Sequence, residues 1–356
     1  MRRALELARR GEGLTRPNPP VGAVVVRGGR CVGEGWHRRA GGPHAEAIAL
    51  RRAGARARGA TLYVTLEPCC TWGRQPPCTE AVRAAGIARV VAAIRDPNPK
   101  HRGRGFRRLV AAKIAVDVGV CRKEAADLLA PFARWIATGR PYVTLKLGMT
   151  LDGRIADSAG ASRWITGPRA RARVQQLRRR ADAILVGRAT VARDDPSLRP
   201  RPDGGRRPWR VVVARGGDVP LTARILNDEA AERTLIAVTE RCPPARERAL
   251  RAKGADVVRL PEADGGVDVM ALLAAMGARG WLHVVCEGGG ALAASLVRAG
   301  AVDALELFVA PRLLGAAGRA AFAGGWPLPA ALAWRWTEVR RVGGDLWIRA
   351  RPRKAG

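Results

Sequence analysis

His44, Glu46, Cys69 and Cys78 are the residues whose types and spacing most directly suggest chemistry. Zinc favours imidazole and thiolate donors in tetrahedral geometry, and a catalytic zinc takes three protein ligands and leaves its fourth position to water. His44, Cys69 and Cys78 supply that count. Glu46 lies two residues beyond His44, too close for comfortable co-ligation but well placed to reach a metal-bound water, so it reads as a proton shuttle. Both cysteines fall at or near expected helix starts, where backbone N–H groups and the helix dipole stabilise thiolates. The bland reading is a helix-capping His, an exposed Glu and two buried thiols. It would win for an isolated H-x-E, and the cysteines clustered from Cys69 to Cys78 reverse the preference.

The elements that must hold these groups follow from hydrophobic periodicity and turn residues. The first half reads as a helix over 2–10, a turn at Pro17-Asn18-Pro19-Pro20 and strands over 21–26 and 31–36 joined at Gly28-Gly29. A helix over 45–57, a strand over 60–66, a helix over 78–85 and a strand over 90–94 follow. Such alternation gives a three-layer α/β domain. The pattern pauses near Pro131, and Thr138-Gly139-Arg140-Pro141 supplies breakers, so domains are expected at 1–140 and 141–356. Beyond the boundary, strands over 142–147, 183–186, 210–214, 234–238, 281–286 and 304–309 alternate with helices over 168–180, 245–253 and 291–299. This predicts a second α/β sheet domain.

Zinc nucleoside and nucleobase deaminases pair H-x-E with P-C-x-x-C, and this chain resembles them with a longer spacing between the cysteines. The loop Pro68-Cys69-Cys70-Thr71-Trp72-Gly73-Arg74-Gln75-Pro76-Pro77-Cys78 is similar to that of the bifunctional riboflavin-biosynthesis deaminase/reductase family. Thr15 to Gly22, Gly41-Gly42-Pro43-His44-Ala45-Glu46, Thr65-Leu66-Glu67 and Asp96-Pro97-Asn98-Pro99 also match its deaminase half. The resemblance implies a cytidine-deaminase-like fold, one Zn2+ per chain on His44, Cys69 and Cys78, and catalysis by Glu46. It also implies hydrolytic loss of an exocyclic amine from a pyrimidine and a substrate contact from Asn18. Cys70 stands where relatives carry a small polar residue and is left out of the metal shell. Thr71-Trp72 stands where relatives often carry His, a departure that bears on substrate contacts.

In the second half, Glu287-Gly288-Gly289-Gly290 joins an expected strand to an expected helix, and glycines there let a phosphate approach the helix N-terminus. A tight packing turn explains them equally well, since G-x-G-x-x-G is absent. The surrounding stretches, among them Leu145 to Arg154, Ser162 to Thr166, Asp194-Asp195-Pro196-Ser197-Leu198 and Ala310 to Gly315, resemble the reductase half of the same family. This implies a dihydrofolate-reductase-like domain using NADPH. Carried over by position, Lys146, Ser162, Arg178, Leu198, Arg201 and Glu287 become substrate contacts. Gly148, Trp164, Thr190, Asp194, Gly289, Gly290, Ala291, Leu292, Ala293, Ala294 and Ser295 go to NADPH. Arg178 and Arg201 suit a substrate phosphate as guanidinium forks. Singly, Trp164 reads equally as core, Arg178 as a solvated helix charge and Asp194-Asp195-Pro196 as a turn. Where relatives carry Asp-Ser, this chain has Ala214-Arg215, which loses a hydroxyl and gains a guanidinium that could grip a 2′-phosphate.

The formal charge of +32 first suggests nucleic acid. It is dispersed, however, at +17 over residues 1–140 and +15 over the rest, and a spread excess is more often a solvated basic surface than a binding stripe. Anionic small substrates fit it equally. Seven cysteines without an apolar signal core argue against a disulfide framework and for a cytoplasmic protein. No run is long enough to cross a bilayer, and the only biased tract is the Arg-rich tail, 349–354. The expected enzyme deaminates 2,5-diamino-6-(5-phosphoribosylamino)pyrimidin-4-one and then reduces its ribosyl chain to ribityl with NADPH, with no nucleic-acid or membrane partner. A nucleic-acid deaminase of tRNA type and a non-catalytic nucleotide-binding protein are the rivals. A homo-oligomer is left open.

Overall fold

The computed structural model describes residues 1–202 and 207–353; Lys354, at the end of the Arg-rich tail, lies outside them. The chain divides into two compact units, Met1–Arg140 and Pro141–Gly356.

In the first unit, α1 (Arg2–Arg9), β1 (Gly22–Arg27), β2 (Arg30–Trp36), α2 (Ala45–Ala53) and β3 (Thr61–Val64) lead into α3 (Cys78–Ala84) and β4 (Arg89–Ala92). After these come α4 (Arg104–Ala111), β5 (Ala115–Val118) and α5 (Arg122–Thr138). The sheet runs β2-β1-β3-β4-β5, antiparallel across β1 and parallel from β3 to β5. Gly28 and Gly29, at φ +53° and +73°, supply the left-handed pair that a tight hairpin needs. Alternate residues of β1 bury opposite ways: Ala23 and Val25 pack with Ala45 and Ala49 of α2, while Val24 packs with Ala4 and Leu7 of α1. That alternation makes the three layers.

Small residues set how closely α2 approaches the sheet. A Cβ on Gly33 would lie 2.3 Å from the Ala49 carbonyl oxygen, and one on Gly35 would lie 2.7 Å from that of Ala45. The first turn of α2, with His44 as its cap and Glu46 inside it, is thereby pressed onto β2.

Two expectations need correction. The helix expected over 45–57 ends at Ala53, because Gly54 turns the chain at φ +55° into a 3-10 turn, Gly54–Ala57. The pause expected near Pro131 is absent: Pro131 lies inside α5, which continues to Thr138. Proline removes one backbone donor, but Ala125, Leu129 and Phe132 keep that face of the helix buried through the position.

In the second unit, β6 (Tyr142–Thr150), β7 (Arg154–Ala156), α6 (Pro168–Arg180), β8 (Ala183–Gly187), α7 (Arg188–Asp194) and β9 (Trp209–Val213) come first. Next are α8 (Arg224–Asn227), β10 (Thr234–Val238), α9 (Pro244–Ala252), β11 (Asp256–Arg259), β12 (Glu262–Ala263), β13 (Gly266–Val267) and α10 (Val269–Ala278). The unit closes with β14 (His283–Cys286), α11 (Gly290–Arg298), β15 (Ala304–Ala310), β16 (Arg319–Ala320), β17 (Trp334–Val342) and β18 (Asp345–Pro352). Among the described residues the main sheet runs β11-β10-β9-β8-β14-β6-β15-β18-β17. It is parallel through β15, and β18 and β17 add an antiparallel hairpin that the sequence reading did not anticipate. Strands buried on both faces carry unbroken apolar runs. Ile184, Val212 and Ile236 meet Val174 and Leu177 of α6, while Leu185, Val211 and Leu235 join the core of Leu272 and Met276 from α10. No helix among the described residues is long and apolar enough to cross a membrane.

Candidate active site

His44 caps α2, Cys78 opens α3, and Cys69 sits on the loop after β3. Their ligand atoms all lie within 4.8 Å of one another. His44 Nδ1 is 3.2 Å from Cys78 Sγ and 3.5 Å from Cys69 Sγ. Tetrahedral zinc with ordinary Zn–N and Zn–S lengths would separate such donors by ~3.6 Å, so the set fits the ion. The Cys78 backbone N–H donates to Cys69 Sγ at 3.3 Å. The bond from Cys78 pushes the Cys69 thiol well below its ordinary range, with His44 helping, while Cys78 is pushed up. Bonding to Cys69 raises His44. Glu46 is 4% exposed, and burial pushes its carboxyl up. Cys70 is buried outside this set, its Sγ 3.7 Å from His101 Nδ1.

A cavity of about 280 Å³ opens beside the triad, walled by Asn18, His37, Asp96, His101, Phe132 and Trp135. Asn18, expected as a substrate contact, is in that wall. His37, His101 and the α5 aromatics were missed: His101 and α5 are distant in sequence, and nothing local marks His37 as part of the site. The Glu67 carboxylate gathers the far side, accepting from the backbone N–H groups of Asp96 (3.1 Å), Gly103 (2.9 Å), Gly105 (2.9 Å) and Phe106 (3.3 Å). Gly105 is required there, since a Cβ would lie 2.2 Å from the Pro68 carbonyl oxygen.

In the second unit, the substrate and cofactor residues expected from sequence divide into those that assemble and those that do not. Arg178 forks onto Glu287, Nε to Oε1 at 2.6 Å and Nη2 to Oε2 at 2.9 Å, and its Nη1 reaches the Arg199 carbonyl at 3.2 Å. The fork is thus turned to a carboxylate and not held open for phosphate, and Arg178 is no solvated helix charge. Burial pushes Glu287 up, but Arg178 brings it below its ordinary value; Lys146, lowered by burial, acts on the same pair. Gly148 lies beside Lys146, a Cβ there being 3.6 Å from Nζ. Ser162 Oγ donates to Asp194 Oδ1 at 3.5 Å. Trp164 is exposed, not core, and Arg171 stacks on it 4.5 Å from the ring centre. Thr190 is half-buried on α7.

Other positions behave differently. Leu198 is 2% exposed, with its side chain in the core beside Val174, so a side-chain substrate contact is not available. Arg201 is exposed, held by its backbone N–H donating to Gln175 Oε1 at 2.9 Å. Leu292, Ala293 and Ala294 are buried, which leaves Gly289, Gly290, Ala291 and Ser295 as the accessible part of that segment. A Cβ on Gly290 would lie 2.5 Å from the Ala320 carbonyl oxygen, so here the glycine serves chain packing. Ala214 is buried, and Arg215 Nη1 donates to the Gly265 carbonyl at 2.9 Å.

Residues 1–94 match the model of the cytidine and deoxycytidylate deaminase zinc-binding region, and residues 141–348 match that of the RibD C-terminal domain. The riboflavin biosynthesis protein RibD of Aquifex aeolicus is 42% identical over 98% of this chain and 96% of its own length. The chain belongs to the RibD family. The Escherichia coli RibD is 43% identical over 98% of this chain and 97% of its own. Among solved structures, Acinetobacter baumannii RibD aligns with a TM-score of 0.87 at 38% identity, covering 99% of this chain and 98% of that one. A Thermotoga maritima protein titled diaminohydroxyphosphoribosylaminopyrimidine deaminase/5-amino-6-(5-phosphoribosylamino)uracil reductase gives 0.86 at 34%, covering 99% and 97%. This chain is therefore an enzyme with deaminase and reductase activities, a zinc-binding deaminase domain followed by an NADPH-using, dihydrofolate-reductase-like domain.

Proposed function

We propose that residues 1–140 deaminate 2,5-diamino-6-(5-phosphoribosylamino)pyrimidin-4-one and that residues 141–356 reduce the ribosyl chain of the product to ribityl. The observation that carries this is the His44–Cys69–Cys78 triad opening, with buried Glu46, onto a cavity of about 280 Å³. His44, Cys69 and Cys78 would hold one Zn2+ per chain, which when bound brings water ionisation toward ~pH 7. Glu46 would carry that water's two protons in turn, the first to the ring nitrogen and the second to the departing amine, so that ammonia leaves neutral. Asn18 holds the pyrimidine edge, and Phe132 and Trp135 shield the ring from solvent.

In the second unit, NADPH when bound would supply the hydride that reduces the opened ribosyl chain, with the accompanying proton coming from solvent. Lys146, Ser162 and Glu287 hold the sugar, and Arg178 fixes the Glu287 carboxylate in place. Arg201 remains available for the phosphate, and Leu198 acts through its backbone. Gly148, Trp164, Thr190, Asp194 and the N-terminal turn of α11 receive the cofactor. The partner is a small phosphorylated pyrimidine, handled in the cytoplasm without nucleic acid or a membrane, and a homo-oligomer is compatible with this reading.

The test is anaerobic turnover of the diaminopyrimidine phosphate with and without NADPH, with products weighed by mass spectrometry. Without NADPH the deaminated ribosyl product accumulates with ammonia; with NADPH it gains two hydrogens. No mass change in either case contradicts the proposal, and deamination of an RNA oligonucleotide alone establishes the rival.

A further inference from the structure

The loop that follows α7 carries Arg201, and its backbone is held from two sides by side chains with no part in the chemistry above. Leu198 and Pro200 are buried, whereas Arg199 is half-buried and Arg201 exposed. From one side α6 reaches the loop. Gln175 Oε1 accepts from the Arg201 backbone N–H at 2.9 Å, and Arg179 Nη2 donates to the carbonyls of Arg201 at 3.0 Å and Pro202 at 3.3 Å. Arg178 Nη1 donates to the Arg199 carbonyl. Positions 175, 178 and 179 are three and four residues apart and so share one helix face, while Val174 and Leu177 fasten the helix into the core that also takes Leu198.

From the other side, Asp195 Oδ1 accepts from the Arg224 backbone N–H at 2.7 Å, and Arg199 pairs with Glu229. That segment is itself fastened by Arg210, 1% exposed, which donates to Asp228 at 2.7 and 2.9 Å, to the Ile225 carbonyl at 2.9 Å and to Thr234 Oγ1 at 2.8 Å. An exposed backbone N–H or carbonyl is satisfied by water, and ordering a Gln or Arg side chain to replace that water costs rotamer entropy. Stability alone therefore does not call for two α6 side chains on the backbone of exposed Arg201. What they add is position. Arg178 also forks onto Glu287, so the helix face that holds this loop holds that carboxylate as well.

Resting on the reading that Arg201 meets the substrate phosphate, we infer that Gln175 is a positioning residue of the second unit. By holding the Arg201 backbone N–H, it sets where that guanidinium stands relative to the Glu287 carboxylate. The site is thereby matched to a sugar that carries a phosphomonoester at that separation.

The experiment measures NADPH oxidation by full-length wild type, Gln175→Met, Gln175→Ala, Arg201→Met and the double variant Gln175→Met with Arg201→Met. Each is given the deaminated ribosyl phosphate and, separately, its phosphate-free counterpart. Met keeps the length and helix propensity of Gln and loses the acceptor, and Ala is the best helix former. Loss of one neutral hydrogen bond predicts a KM about fivefold higher for the phosphorylated substrate in both Gln175 variants, and loss of a charged contact predicts about tenfold or more in Arg201→Met. For the counterpart KM changes by less than about twofold, and kcat moves much less than KM, with Tm confirming that each variant is folded. Because Gln175 acts through Arg201, the double variant has the KM of Arg201→Met alone. A wild-type KM in the Gln175 variants, equal rises for both substrates, or a further rise in the double variant overturns the inference and leaves the reductase reading intact. An Arg201→Met variant without a phosphate-selective rise overturns the phosphate contact and the inference with it. A wild type that oxidises no NADPH with either compound overturns the reductase reading itself.

Discussion

Asn18 Nδ2 lies 3.1 Å from His37 Nε2, while His37 Nδ1 lies 3.0 Å from the Pro43 carbonyl oxygen. A carbonyl only accepts, so Nδ1 carries the ring proton and Nε2 accepts from the Asn18 amide. Burial lowers His37 and keeps the ring neutral. The chain thus fixes which end of the Asn18 amide is free to accept from a pyrimidine edge. His37→Ala removes that constraint and is expected to lower deaminase kcat/KM by about tenfold, and Asn18→Asp, which puts a carboxylate against an acceptor, by more. Ammonia-release kinetics read both, and wild-type values in either variant contradict the assignment.

The two units are expected to respond independently to metal removal. Chelation should abolish ammonia release and leave NADPH oxidation intact when the deaminated intermediate is supplied. The absorbance of the nicotinamide band follows the second reaction directly. Loss of both activities would show that the metal supports more than the first unit.

Burial pushes the Asp96 carboxyl up to about 7, whereas an unfolded Asp titrates near ~3.9. The folded state therefore holds a proton that the unfolded chain has lost, and stability from this residue declines as pH rises between those values. Asp96→Asn removes the effect. Its Tm relative to wild type should be higher at pH 8 than at pH 5, and a gap that does not change with pH contradicts the shift.

Arg178 and Glu287 form a pair whose side chains are 11% and 9% exposed. Breaking such a pair from one side leaves a buried charge and typically costs ~3–5 kcal/mol. Arg178→Met alone should lower stability by an amount of that order and stop NADPH oxidation. Adding Glu287→Leu should restore stability but not the activity. Denaturant unfolding read beside NADPH oxidation distinguishes the two contributions, and recovery of both would make the pair purely structural.

The metal set was legible because its members lie in two short segments: His44 and Glu46 in one helix turn, Cys69 and Cys78 in one loop. Alternating apolar runs likewise gave α6 and β10 with the bounds seen in the structure. The cavity walls were not legible. His37 arrives at the end of β2 and Trp135 on α5, and topology alone brings them to Glu46. Pro131 also hid α5, since a breaker in sequence gives no sign of the packing that carries a helix past it. In the second unit, position along the chain could not tell that Leu198 turns into the core at φ +53°, nor that Arg178 and Glu287 take each other as partners.

X-ray absorption at the zinc edge, on the full-length protein, tests the central claim most directly. The account predicts one zinc per chain with two sulfur neighbours at ~2.3 Å and nitrogen or oxygen at ~2.0–2.1 Å completing four-coordination. A protein that holds no zinc, or a shell with three sulfurs that draws in Cys70, would contradict it.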